Sequence, residues 1–223
     1  MDRKSLIISL IVSSILLFYL ILDYYGVLRY FIVKNSDYKR YLKNYETLPK
    51  ADAERVVIAF RYVPEQEKSI PLLPFINSIL NQSVKVDDII LITPYKYMKS
   101  IPEYLKQIVA LNCHSVDYED ASTIICSVLR EPESNTKIII VDSNMIYGKT
   151  FVQDLVEKSN DKPNSMVFGD KNHDLKYGVL IKPSFFDESI VDYKKGSGCK
   201  NWLMNTSKCE KCETECNGNF KLN

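Results

Sequence analysis

Glycine, proline, histidine and tryptophan are all scarce in this chain. Seven glycines and nine prolines among 223 residues exclude a collagenous or low-complexity polypeptide, and no internal repeat is present. Histidine occurs only as His114 and His173, each too isolated to serve as a metal ligand, so both are expected on the solvated surface. Lysine plus arginine (29) and aspartate plus glutamate (28) nearly cancel, giving a net charge of +1. That balance leaves no basic field for nucleic acid and no acidic tail. With 46% hydrophobic and 26% charged residues, the chain is ordinary globular material apart from one segment that has no charge at all.

That segment runs from Ser5 to Leu22 and is dominated by Leu, Ile, Val and Phe. Its length approaches the roughly 20 residues that cross a bilayer as a helix. Asp23 ends it, and Tyr24, Tyr25 and Tyr30 follow as interfacial aromatics. A cleaved signal peptide is the competing reading, but the run exceeds a signal core of about 7–15 residues and no small-x-small site follows. The expectation is a single-pass N-terminal anchor over residues 1–33, then a polar Tyr- and Lys-rich stalk over 34–54. Arg3 and Lys4 precede the span, whereas Arg29, Lys34, Lys39, Arg40 and Lys43 follow it, a mild bias toward a cytosolic domain. The sequons at Asn81 and Asn205 would suit a lumenal one, so sidedness stays open.

Beyond residue 54 the pattern alternates. Strands are predicted at 55–61, 88–93, 113–116, 137–141, 166–168 and 178–181, and helices at 70–80, 102–111, 121–129 and 150–158. Pro71 suits a first helical turn. Such alternation implies right-handed βαβ units and a single α/β domain built on one mostly parallel sheet flanked by helices. Ile138, Ile139, Ile140 and Val141 form a β-branched run without polar alternation, as expected of a strand buried on both faces. It stops abruptly at Asp142-Ser143-Asn144. In open α/β sheets ligands bind at the carboxyl ends of strands, and a carboxylate there can hold a hard divalent cation. The alternative is that Asp142 and Asn144 merely cap the next helix.

Four passages carry a resemblance. Phe75–Ile92 (Phe-Ile-Asn-Ser-Ile-Leu-Asn-Gln-Ser-Val-Lys-Val-Asp-Asp-Ile-Ile-Leu-Ile) resembles the SLLNQT-x-KPD-x-IIL passage of nucleotide-sugar glycosyltransferases with the A-type, Rossmann-like fold. Asp117-Tyr118 followed by Ala121-Ser122 is similar to their Asp-Tyr-Gly-Pro-Ala-Thr-Lys segment. Leu129–Pro132 through Ile138–Tyr147 resembles the approach to their Asp-Asp-Asp metal motif and the Met-x-Tyr after it. Tyr177–Asp187 resembles the later GGVLYPP segment. In this order the passages span roughly residues 55–202. The resemblance implies a nucleotide diphosphate sugar as donor, with Asp117 and Asp142 on the nucleotide side. It also implies Mn²⁺ or Mg²⁺ held by Asp142 and Asn144, and an acceptor hydroxyl deprotonated by Asp187, Glu188 or Asp192. The acceptor, whether glycan, lipid or protein, is unspecified.

The departures are equally specific. Ser143 and Asn144 stand where the family has aspartates, and an amide oxygen offsets the dehydration of a hard dication less well than a carboxylate. Glu119-Asp120 replaces Gly-Pro, and Thr123 replaces a lysine suited to phosphate. Cys199-Lys200-Asn201-Trp202 stands where members carry Asp-Asp-x-Trp. Two functions therefore compete: a membrane-anchored glycosyltransferase, or a catalytically inactive descendant that binds or scaffolds on a membrane.

Cysteine is unevenly used. Cys113 and Cys126 lie in apolar stretches and read as buried thiols, whereas Cys199, Cys209, Cys212 and Cys216 crowd the Cys-rich tail, which is assigned to 203–223 with Cys199 just before it. A cytosolic tail of this kind can hold structural Zn²⁺, and a lumenal one favours disulfides. With only one Cys-x-x-Cys hook, disulfides or free thiols are favoured over zinc.

Overall fold

The computed structural model describes residues 2–64, 72–114, 116–131, 133–214, 216 and 219–221. Ile70, Pro71 and Pro132, used in the sequence reading, lie outside these residues. The central element is a seven-stranded sheet of order β3-β2-β1-β4-β7-β6-β8. Its strands are β1 (Val56–Arg61), β2 (Asp88–Pro94), β3 (Ala110–His114), β4 (Lys137–Val141), β6 (Ser165–Phe168), β7 (Val179–Ile181) and β8 (Glu210–Glu213). Only β7 runs antiparallel to its neighbours. A separate ribbon pairs β5 (Met145–Ile146) with β9 (Phe220–Lys221).

The β-branched run becomes β4, fourth of the seven strands and buried along its whole length. Period-two alternation divides it between two cores: Ile139 and Val141 face one, Ile138 and Ile140 the other. The first core receives Phe75, Ile76, Ile79 and Leu80 from α4 (Leu72–Leu80), and Phe151, Val152, Leu155 and Val156 from α7 (Phe151–Asp161). The second receives Ile124, Ile125 and Val128 from α6 (Ser122–Arg130), and Leu203 from α8 (Cys199–Thr206). The fold is thus the expected α/β sheet covered on both faces.

Two local expectations are corrected. The helix expected at 102–111 shortens to α5 (Glu103–Lys106), because Ala110 and Leu111 enter β3 and pair with Ile90 and Leu91. Strand pairing outweighs local helical spacing there. Within the Cys-rich tail, 210–213 add an edge strand beside β6. Residues 34–54 are not a free-standing stalk: in α3 (Tyr38–Glu46), Tyr41 and Tyr45 are buried in the first core, and the Tyr45 hydroxyl accepts from the Val86 amide at 2.8 Å. A tyrosine-rich segment reads as polar, but each ring carries a large apolar body that packs while its hydroxyl finds a partner.

The apolar N-terminal run forms α1 (Arg3–Tyr24). Over Lys4–Tyr24 it is long and apolar enough to cross a membrane, and none of it is buried against the protein. Gly26, at φ 72°, allows the sharp turn into α2 (Val27–Lys34). Arg29 of α2 donates to the carbonyls of Ser78 (3.2 Å), Asn81 (3.1 Å) and Tyr147. Burial lowers its pKa to about 10.

Candidate functional site at the carboxyl edge of the sheet

The strand order places the switch point between β1 and β4, because β2 and β3 extend to one side of β1 and β4 lies on the other. Doubly wound sheets open a crevice at this point, where the connections diverge. Here the crevice is a cavity of about 600 Å³. Arg61 and Val63 enter it from the end of β1, Val141 to Asn144 from the end of β4, and Thr123 and Ile124 from α6. Cys199, Lys200 and Asn201 enter from the start of α8.

The end of β4 is tightly organised. Asp142 Oδ1 accepts from both the backbone N–H and the side-chain Nδ2 of Asn144, each at 2.8 Å. The Asp142 N–H donates to the Tyr147 hydroxyl at 2.8 Å, and that hydroxyl donates to the Lys176 carbonyl at 2.7 Å. Tyr147 is fully buried between Phe75 and Phe151, and burial drives its phenol pKa far above the ordinary value, so it stays protonated as a donor. The helix-cap alternative for Asp142 and Asn144 fails: the next helix, α7, begins at Phe151 after β5 has intervened. These residues form a side-chain-closed turn instead. Removing the hydroxyl in Tyr147→Phe would strand the Asp142 N–H and the Lys176 carbonyl. A loss of about 1–3 kcal/mol is expected, read by urea denaturation in detergent.

Two of the cations around the cavity are paired with carboxylates. Arg61 lies 3.1 Å from Asp117 and 3.7 Å from Asp120. Burial alone would raise the Asp117 pKa, but the Glu119 N–H and the Arg61 guanidinium outweigh it and hold the carboxyl below its ordinary range. Lys176 lies 2.6 Å from Asp174, and Lys200 Nζ donates to the Asn172 carbonyl at 2.6 Å. Arg61, Lys176 and Lys200 thus bring three cations to the wall, with Asp120, Asp142 and Asp174 as the acids.

Of the sequence-based candidates, Asp142 and Asn144 line the cavity and Asp117 adjoins it through Arg61. Asp187, Glu188 and Asp192 do not line it. Asp187 accepts from the Ser189 N–H at 3.0 Å and pairs with Lys208, whose ammonium holds the carboxyl well below the usual carboxylate range. The reason is the direction of β7. Ile181 pairs with Ile138, so the chain leaves β7 at the edge where β4 begins, opposite the cavity. The same reversal brings Asp174, Leu175 and Lys176, which precede β7, to the cavity edge. Sequence reasoning missed these three because nothing local marks the loop. Arg61 carried a usable signal, a charge closing an apolar strand run.

Asp142 and Asn144, the pair expected from the sequence to carry Mn²⁺ or Mg²⁺, sit side by side at the end of β4. As found, the Asn144 amide nitrogen faces Asp142, so shared ligation needs that amide turned over. Among the described residues, no group of three or more His, Cys, Asp or Glu could hold a metal ion. One carboxylate and one amide make a weak donor set for a hard dication. In the tail, Cys199 and Cys209 pack on one face of the sheet, and Cys212 and Cys216 on the other, all as free thiols. Burial raises the Cys199 and Cys216 pKa values to about 12.

No protein-family model matches the chain, and no curated protein matches it. The crystal structure of 4-diphosphocytidyl-2C-methyl-D-erythritol synthase from Anaerococcus prevotii superposes with a TM-score of 0.52 at 11% identity. The match covers 77% of this chain and 93% of that one. That likeness shows the fold. It is a mostly parallel, Rossmann-like α/β sheet flanked by helices, and at this identity the likeness reaches no further.

Proposed function

We propose that the chain is a membrane-anchored, glycosyltransferase-like protein that binds a nucleotide diphosphate sugar in the cavity at the ends of β1 and β4. The observation that carries this reading is the position of that cavity: it opens at the switch point of an A-type sheet, with Asp142 at the strand end and three cations on its wall. Arg61, Lys176 and Lys200 are the groups suited to a diphosphate, and the carboxylates beside Arg61 and Lys176 and the Asn172 carbonyl on Lys200 would give way to phosphate oxygens. Asp142 and Asn144 would carry Mn²⁺ or Mg²⁺, which would neutralise the same diphosphate. In an active protein the sugar passes to an acceptor hydroxyl. The single span α1 is the anchor.

A second reading, binding without turnover, is favoured by one observation. The rim segment Cys199-Lys200-Asn201 supplies no acid, and Asp187, Glu188 and Asp192 do not line the cavity. Calorimetry of the full chain in detergent with a panel of nucleotide diphosphate sugars tests the shared part of both readings. Binding in the presence of Mn²⁺, weakened about tenfold or more by Asp142→Ala, is expected. Equal affinity in that variant would remove Asp142 from the site. Release of free nucleotide over time separates the two readings.

A further inference from the structure

The segment after the span is held in a specific way. One face of α2 is fixed to the protein: Val33 is buried against Ile146, and Arg29 is tied to three backbone carbonyls. Asn77 of α4 adds two hydrogen bonds, from its Nδ2 to the carbonyls of Val33 and Ser36, both at 2.8 Å. The helical period then decides what faces outward. Phe31 lies roughly 180° around the helix from the Arg29–Val33 face, with Ile32 beside it. Both are more than half exposed, at 56% and 57%, as are Tyr24 and Tyr25 where α1 ends.

We propose that α2 is an interfacial helix whose Phe31–Ile32 face, with Tyr24 and Tyr25, inserts into the headgroup region of the bilayer that α1 crosses, so that the domain is seated on the membrane instead of swinging from it. Continuity argues for lipid as the occupant. Only Tyr25 and Gly26 separate α1 from α2, so any bilayer holding α1 lies within one turn of this face. Charge agrees, because exposed Lys34, Lys39, Arg40 and Lys43 follow directly and suit anionic headgroups. One residue, Tyr147, touches both the seat and the cavity. The Tyr147 carbonyl accepts from Arg29, and its hydroxyl joins Asp142 to Lys176. The inference rests on α1 being a membrane span, and the experiment separates the two.

The full chain is reconstituted into phosphatidylcholine–phosphatidylserine vesicles carrying brominated lipids. Phe31→Trp and Leu16→Trp are each made in a Trp202→Phe background, which leaves one reporter per protein because Trp202 is the natural tryptophan. Leu16→Trp should be quenched most by bromines deep in the acyl chains. Phe31→Trp should be quenched most by bromines about 5–10 Å below the headgroups, at least about twofold more than Trp202 in the parent. Adding Ile32→Asp should reduce that shallow quenching. Quenching at Leu16→Trp with none at Phe31→Trp overturns the interfacial seat while keeping the span. Loss of quenching at both positions overturns the two together. A Phe31→Trp emission that depends on protein concentration but not on bromine would assign the face to a second copy of the chain, and would likewise overturn it.

Discussion

Asn144→Asp is expected to tighten Mn²⁺ binding about tenfold, equivalent to roughly 1.4 kcal/mol. The reason lies in the turn that follows β4. Asn144 now donates through Nδ2 to Asp142 Oδ1, so one potential ligand is spent on holding the other. A second carboxylate cannot donate and would repel Asp142 in the metal-free protein, an unfavourable term that a dication removes. The metal-free variant should therefore be less stable than the parent by about 1 kcal/mol, and saturating Mn²⁺ should restore it. Manganese titration followed by electron paramagnetic resonance, with urea denaturation alongside, checks both. No gain in affinity would mean that the end of β4 is not a cation site.

Lys137→Ala should cost about 3 kcal/mol, lowering Tm by roughly 6–12 °C for a chain of this size. Lys137 opens β4 at the edge opposite the cavity, and its side chain is only 2% exposed. Its ammonium lies 2.5 Å from Asp52 and 2.6 Å from the Asn160 side-chain oxygen, with Glu54 at 3.2 Å. Truncation leaves a cavity and an unpaired carboxylate. The pH dependence is a second signature. Burial alone would raise the Asp52 pKa, but hydrogen bonds from Lys137, Asn160 and the Glu54 amide outweigh it and bring it down to about 2. A carboxyl depressed in the folded state stabilises above its unfolded pKa, near 4, and that stability fades as pH falls through about 2. Between pH 4 and 2 the parent should lose about 1–2 kcal/mol through this group. The variant should show a flatter dependence over the same range, because its Asp52 has no ammonium to hold the proton off. Denaturation at several pH values in detergent distinguishes the slopes.

The fold was legible where hydrophobic patterning is strong. Ile138–Val141 could only be a strand with both faces covered, and α4, α6 and α7 announced themselves by apolar spacing. The A-type resemblance also rested on readable residues, around Asn81-Gln82 and Asp142. Gln82 turns out to be structural: its Nε2 donates to the Ser78 and Gly148 carbonyls at 2.8 Å, tying α4 to the loop after β5. Less legible were segments whose structure depends on distant partners. The 34–54 segment looked like a stalk because tyrosine and lysine are polar in composition, although Tyr41 and Tyr45 bury their rings.

By itself, the sequence determined the apolar run, the alternating α/β order, the central strand and the place where it stops, at Asp142. Each depends on residues close together in the chain, so periodicity and residue type suffice to reveal them. Only the tertiary structure decided which way β7 runs, and that direction settles which acids can meet the cavity. It carries Asp174 and Lys176 to the cavity edge and sends the chain toward Asp187 and Glu188 out at the opposite edge. It also decided that the cysteines of the tail divide between two faces and that Arg29 is buried against backbone carbonyls. Strand direction, edge pairing and helix docking are set by contacts between residues far apart in sequence. Their free energy comes from surface buried jointly by both partners, and neither partner's local pattern records it.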